Sequence, residues 1–539
     1  MDHIELDGFT SVPPEHHSAT TRTPKPSAET SSKVLFIVIG SLYLGTFLVA
    51  LDTTIIGTAI PAITTEFQAL DEIAWYGSGY LLTLTALQPA LGKLYKVLNT
   101  KLLYLVSIAI FEAGSILCAA SPSSPVFIVG RAVAGCGAAG IMQGSYAIVT
   151  KTVPLSKRPF YFGLFVSAFG LTIGIGPVMG GAFADRGIWR WCFWINLPLG
   201  AMVMLMVTVF LKLKSVDAAR ETSNLSAKQV FFRLDPGGSA LIIACAVCLL
   251  MAMQWGGQSL PWSSPTIISL LAAFVFLLLL FLVVEWRMGN DAAVPFRILR
   301  QRSIAFGAVY LFLFSMPNFS YGMYVPIFFQ AAKGFSALRS GIEILSLALT
   351  QIAVVVMTGT LVSKYGYYTP FIIGGTAVSV IGSGLITLMD LETPHASWVG
   401  YFLICGIGTG AAINLPYTAV STVLVEVDMV TGNAIMQFAF QLGGAVSLCI
   451  SQAIFLNRLT SDVKASLPGV SVAEVVHAGA YNIPAMAPSS VTLHMLRVSY
   501  RNSTRDVFMY LLVATGLALF ASFGFEHMNV KEVEEERKG

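Results

Sequence analysis

What most limits how this chain can fold is a succession of apolar runs, each close to 20 residues long and nearly free of charge. About 20 helical residues, at ~1.5 Å rise each, cross the ~30 Å hydrocarbon layer of a bilayer. Fourteen such segments lie near 35–60, 74–92, 102–120, 126–149, 160–182, 191–211, 237–254, 265–285, 303–325, 341–362, 370–389, 398–423, 434–456 and 507–526. In lipid, backbone polar groups must be satisfied inside each segment, so these are expected to be helices rather than open strands. Composition excludes one very large soluble core. Only 11% of the residues are charged, where soluble chains carry about 25%. The expected fold class is therefore an all-α polytopic membrane protein with 14 transmembrane helices.

Basic residues orient the spans, because short cytoplasmic loops carry the excess of Lys and Arg. Lys93, Lys96 and Lys101 follow the second segment, and Lys151, Lys157 and Arg158 follow the fourth. Five bases between Lys212 and Arg233 follow the sixth, and Arg287, Arg297, Arg300 and Arg302 follow the eighth. The stretches after segments one, three, seven and eleven hold neither Lys nor Arg. Both termini are expected to be cytoplasmic. Two stretches fit less well: the one after segment twelve carries Glu426 and Asp428 with no base, and 457–506 carries five bases on the expected outer side. Residues 1–33 are polar and rich in Ser, Thr, Pro and His, a composition that reads as a disordered tail. Asn502 opens an Asn-Ser-Thr sequon in 457–506 and is a candidate glycosylation site.

Several chemistries are not expected. The seven cysteines all fall in apolar segments, including the Cys245–Cys248 pair, and read as packing residues rather than metal ligands or disulfides. Gly135, Gly137 and Gly140 spell G-x-G-x-x-G, but no strand precedes them and no acid lies about 20 residues on. They read as glycines that thin a transmembrane helix. No nucleophile–base set or ATP-binding loop is present, so neither an enzyme, a cofactor nor a nucleic-acid partner is expected.

The end of segment two reads GKLYKVLNTK from Gly92, and that of segment ten reads GTLVSKYGYY from Gly359. The pair Gly92 and Lys93 and the pair Gly359 and Lys364 mark equivalent gating turns if segments 1–6 and 9–14 are two repeats, with 7–8 inserted. Two six-helix halves around a midplane cavity form a transporter architecture. The expected divisions are a tail 1–33, a first bundle 34–212, a linker with two inserted helices 213–302, a second bundle 303–526 including an outer loop 457–506, and a tail 527–539.

Charges at bilayer depth are costly and mark function. The first half holds Asp52, Glu112 and Arg131. Asp52 is the first candidate for proton exchange, against the alternative of a carboxylate fixed to a neighbouring helix. Arg131 either pairs with a carboxylate or snorkels to the interface. Glu112 needs a partner, expected on the second or fourth helix. In the second half, Gln351, Asn414, Gln437 and Gln441, with Tyr321 among aromatic residues, suit a small, mostly apolar organic ligand. Interhelical hydrogen bonding is the alternative for each amide. Helix five carries Gly170, Gly174, Gly176, Gly180 and Gly181 around Pro177, the spacing of close helix contact and a candidate hinge.

These stretches resemble the major facilitator superfamily, in its fourteen-helix drug:proton antiporter branch. The resemblance covers about residues 35–530 and rests on LDTTIIGTAIP (Leu51–Pro61), WYGSGYLLT (Trp75–Thr83), the GKL turn, GRAVAGCGAAG (Gly130–Gly140), GPVMGG (Gly176–Gly181) and WRWCFWINLPLG (Trp189–Gly200). LDPGG at Leu234–Gly238 and MQWGG at Met253–Gly257 are similar to the fungal toxin and multidrug exporters. The resemblance implies a monomeric plasma-membrane exporter of a secondary metabolite or drug, driven by protons. It implies that Asp52 falls in the family's first-helix motif, Arg131 in the fourth-helix motif linked to proton coupling, and Gly176, Pro177, Gly180 and Gly181 in the motif associated with antiporters. A siderophore-chelate transporter of a sister group and a non-transporting sensor are the alternatives. The turn GKLYKVLNTK lacks the acid usual in the superfamily, which puts a charge relay there in doubt.

Overall fold

The computed structural model describes residues 32–67, 73–211, 236–256, 260–289, 292, 294–466 and 489–537. Most of the tail 1–33, the linker 212–235 and the stretch 467–488 lie outside them. The first half comprises α1 (Ser32–Phe67), α2 (Ile73–Val97), α3 (Thr100–Ala119), α4 (Ser124–Thr152), α5 (Arg158–Asp185), the single turn α6 (Trp191–Trp194) and α7 (Asn196–Phe210). Next come α8 (Pro236–Trp255), α9 (Pro265–Met288) and the turn α10 (Phe296–Leu299). The second half is α11 (Arg302–Ile327), α12 (Ala337–Tyr365), α13 (Thr369–Ile386), α14 (His395–Ala412), α15 (Leu415–Val423), α16 (Glu426–Ser466) and α17 (Ser490–Ser522), followed by a short α18 (Val530–Glu536). Thirteen helical stretches are long and apolar enough to cross a bilayer, and α2 makes the fourteenth expected span.

Glycines set how closely the helices pack. A Cβ placed on Gly137 would lie 2.3 Å from the backbone of Phe111, and one on Gly114 would lie 2.3 Å from that of Ala134, so α3 and α4 touch backbone to backbone. The second half repeats this: Gly408 meets Ser379 at 2.2 Å and Gly382 meets Cys405 at 2.4 Å, locking α13 on α14. Gly135 in turn faces Tyr80 of α2. The G-x-G-x-x-G spacing thus serves helix contact.

The apolar interior has three parts. One cluster draws on both halves, with Tyr146, Phe162, Val355, Tyr417 and Val430 in one continuous core. Two others belong to one half each, around Ile55, Tyr76 and Phe127 in the first and Tyr324, Phe402 and Phe508 in the second. The halves are therefore fused at the end that holds Lys96 and have separate cores at the end that holds Glu66. The inserted α8 packs on both α2 and α16, covering one seam between the halves, while α9 packs chiefly on α8. Phe276 and Leu279 of α9 are exposed along a helix of mean hydropathy 3.3, as a lipid-facing surface requires.

Four expectations change. Gly92 and Lys93 lie inside α2, and Gly359 and Lys364 inside α12, not in turns. Apolar counting ends a span at its first charges, but the hydrogen-bonded helix continues beneath them. The outer loop 457–506 shrinks for the same reason, since α16 runs on to Ser466 and α17 begins at Ser490. Polar ties hold these extensions: Arg458 Nε lies 3.1 Å from Asp462 Oδ1, and Arg501 Nε donates to Asp390 Oδ1 at 3.0 Å. Asn502 is consequently a helical residue whose Nδ2 donates to Asp462 Oδ2 at 2.8 Å. An amide engaged within a helix is not the surface-loop acceptor that glycosylation uses. Finally, 527–539 is not a free tail. Asn529 bridges to Tyr367 and caps α18, whose Val530 is fully buried.

Candidate functional site

Asp52 lies midway along α1. Its neighbours Thr53 and Thr54 return their hydroxyls to Val49 O and Ala50 O, at 2.8 and 3.1 Å. Asp52 instead turns wholly inward, at 0% exposure. Arg131 of α4, 1% exposed, donates from Nη1 to Asp52 Oδ2 at 2.5 Å and from Nε to Tyr76 O at 2.9 Å. Its guanidinium also stacks over the Tyr80 ring at 4.4 Å. Asn196 at the start of α7 approaches Asp52 Oδ1 from the other side at 3.4 Å, and donates to Ser115 Oγ at 3.2 Å. Snorkelling is thereby replaced by a buried, directional ion pair. Both partners lose water at this depth, so each depends on the other.

Glu112 of α3 behaves differently. It is 9% exposed, yet neither carboxylate oxygen has a hydrogen-bond partner. The partner expected on α2 or α4 is absent, because Glu112 faces α7. There Gly200 leaves the space it occupies: a Cβ on Gly200 would sit 1.8 Å from Glu112 Oε1.

A second constellation closes the Lys96 end. Lys96 Nζ donates to Asp428 Oδ1 at 3.0 Å, and Arg297 Nη2 donates to Asp428 Oδ2 at 2.6 Å. Asp428 belongs to the first turn of α16, Lys96 to α2 and Arg297 to α10, so one carboxylate ties the two halves and the inserted segment together. The acid missing from GKLYKVLNTK comes from the other half of the molecule. Around it, Gln143 Nε2 donates to Val430 O at 2.9 Å, Asn414 Nδ2 to Pro159 O at 3.2 Å, and Tyr146 stacks on Tyr417 at 4.8 Å. Gly92 lets α2 reach α16, since its Cβ would lie 2.3 Å from Ala434 Cβ. On the surface, α18 spans the same seam: the Ser156 amide donates to Glu534 Oε2 at 2.8 Å, and Arg537 donates to the carbonyls of Ser421, Thr422 and Leu424. Asp428 and α18 were missed in the sequence because an acid at a helix start and a short polar tail look like ordinary solvated features. The one available signal was an acidic stretch facing basic ones on the same side.

The α5 glycines divide between two partners. Gly170 and Gly174 meet Ile352 and Leu345 of α12 across the seam, whereas Gly176 and Gly180 meet Thr54 and Ile55 of α1 within the half. Pro177 lies in the span between Gly176 and Gly180, and Gly181 faces open space. Because Gly176 packs against Thr54 of its own half, Gly176→Val is expected to destabilise the protein by ~1–3 kcal/mol. Gly170→Val meets Ile352 only when the halves close, so it should lower transport while leaving the melting temperature nearer wild type. Thermal unfolding and transport measured on both variants check this; equal destabilisation would contradict it.

The expected cavity residues are dispersed. Gln437 accepts from Tyr417 Oη at 2.8 Å and stands at the seam with Asn414 and the buried Gln441. Gln351 donates to Asn318 Oδ1 at 2.9 Å inside the second half. Tyr321 packs against Phe508, 6.0 Å away, in that half's own core and not at the seam.

Comparison with known proteins places this geometry. The profile of the Major Facilitator Superfamily matches residues 42–448. The chain is 38% identical over 531 residues to the MFS-type efflux pump MFS1 of Arthroderma benhamiae, covering 98% of both chains. It is 37% identical to the efflux pump aflT of Aspergillus parasiticus, covering 94% of this chain and 99% of that one. It is 38% identical to the rubrofusarin-specific efflux pump aurT of Gibberella zeae, covering 93% and 91%. The crystal structure of the human organic anion transporter MFSD10 (TETRAN) aligns with a TM-score of 0.58 over 90% of this chain and 99% of its own, at 14% identity, a likeness of fold alone.

Proposed function

The chain belongs to the Major Facilitator Superfamily and is a multi-pass membrane transporter, and on that premise we propose that it exports a small, mostly apolar organic compound in exchange for protons. Relatives named as efflux pumps support the direction, and they disfavour siderophore uptake. The rubrofusarin pump supports a secondary metabolite as cargo. The observation that carries proton coupling is the group of buried charges in the first half: Asp52 and Arg131 paired at 2.5 Å, with Glu112 unpaired beside them. Such groups at bilayer depth are characteristic of proton relays. The excess of bases at the Lys96 end supports cytoplasmic termini there. The halves then meet on the cytoplasmic side and part on the outer side, as alternating access requires. We place the protein in the plasma membrane as a monomer of two six-helix halves, with Gly170 and Gly174 as the rocking contact.

Cells making the protein are expected to retain less of a metabolite or drug than cells lacking it. A protonophore is expected to abolish the difference. Export that persists with the proton gradient collapsed would remove the coupling.

A further inference from the structure

The two buried carboxylates occupy opposite chemical situations. Asp52 has both oxygens engaged, one by the Arg131 guanidinium and one approached by the Asn196 amide. Glu112 has no cation and no donor on either oxygen, and its carboxyl is pressed against the backbone of Gly200. A bare carboxylate in such a place loses its hydration without compensation, so the neutral acid is the form that fits. Resting on the proton-driven reading above, we propose that Glu112 is the group that takes up and releases the transported proton, while Asp52 stays paired with Arg131.

The surroundings of Glu112 support this division. From α1, Asp52 presents a negative charge, and Asn196 of α7 approaches Asp52 and Ser115 of α3. From α4, Arg131 is already spent on Asp52 and on the Tyr76 carbonyl. Cys192 of α6 and Cys118 of α3 bring thiols, α7 brings no titratable side chain, and Tyr95 of α2 reaches α3 at Ser107. Among the described residues, no positive charge pairs with Glu112. Uptake is a simple transfer: a hydronium ion from the open side gives its proton to one Glu112 oxygen and leaves as water, and release reverses it.

The effect on conformation follows from packing. The neutral Glu112 lets α3 close on α7 at Gly200. Its anion, lying near Asp52 in an apolar contact, favours separation of α7 and entry of water. Asn196 connects α7 to Asp52 on α1, α1 packs on α5 through Gly176 and Gly180, and α5 meets the second half through Gly170 and Gly174. Glu112 therefore has a continuous packed route to the seam.

Infrared spectroscopy of the full chain in lipid, titrated with pH, tests the assignment without any cargo. The wild type is expected to show the carbonyl band of a protonated carboxyl group at neutral pH, shifted in heavy water. Glu112→Gln should remove it. The double variant Asp52→Asn with Arg131→Gln, which strands no charge, should keep it. A band that is missing in the wild type, or that survives in Glu112→Gln, overturns the proposal. In proteoliposomes with the uncharged dye Nile red as probe, Glu112→Gln is expected to lose all the stimulation of dye transport that a pH gradient gives the wild type. Gradient-driven transport by that variant also overturns it. If the wild type carries the dye but ignores the gradient, proton-driven export itself is refuted and the carrier role goes with it. The infrared result would still stand on its own as a measure of which carboxyl holds a proton.

Discussion

Asp52→Asn or Arg131→Gln alone is expected to destabilise the protein by about 3–5 kcal/mol, and the double variant by much less than the sum. The reason is desolvation. Each member of the pair is at most 1% exposed, so removing one leaves the other charged, dry and unmatched. Arg131 keeps the Tyr76 carbonyl and the Tyr80 and Phe193 rings after Asp52 is neutralised, and none of these offsets a full charge. Asp52 keeps only the Asn196 amide after Arg131 is lost. Thermal unfolding of the purified protein, measured for the wild type, both single variants and the double variant, gives the coupling directly. Additive losses would show that the pair is not the unit the geometry describes.

The second large effect is expected at Asp428. Asp428→Asn removes the charge that holds Lys96 and Arg297 together, and the Lys96 end should open more often. Arg297 is 57% and Lys96 28% exposed, so water screens part of both bonds. A shift of ~1–3 kcal/mol is expected, or about 5–150-fold in the opening equilibrium. Spin labels on Lys157→Cys and Val425→Cys, exposed positions in the two halves at this end, report the separation. The variant should gain a longer-distance population at the expense of the short one. An unchanged distance distribution would mean that Gln143, Asn414 and α18 hold the seam without the charge. Arg537 is the control: it grips only carbonyls of α15 and its end, all within the second half, so Arg537→Gln should loosen α18 with a smaller effect on the distance.

Much of the architecture could be read from local features. Hydropathy runs mark the spans because a bilayer penalises each polar side chain where it stands, whatever its neighbours. The same locality singles out Asp52, Glu112 and Arg131, since a charge within an apolar run is anomalous by itself. Span ends were harder. Lys93 and Lys364 look like loop residues, yet the helices carry their hydrogen bonds on beneath both, Lys364 exposed and Lys93 buried. Segments 191–211 and 398–423 read as single helices but are broken, the second at Asn414 just before Pro416, where proline fits the first turn of α15.

The sequence alone therefore determined the all-helical class, the order of the spans, and that Asp52, Glu112 and Arg131 are charges within apolar runs. Tertiary structure decided their partners. Arg131 finds Asp52 from 79 residues away and Lys96 finds Asp428 from 332, separations at which no local periodicity carries information. Nor could the spacing of the α5 glycines show that one pair faces α1 and the other the opposite half. Those outcomes depend on the rotation of each helix about its axis, which the packing of the whole bundle sets. For the same reason Glu112 was visible as a charge but not as an unpaired one, because α7 brings to it a glycine and no donor.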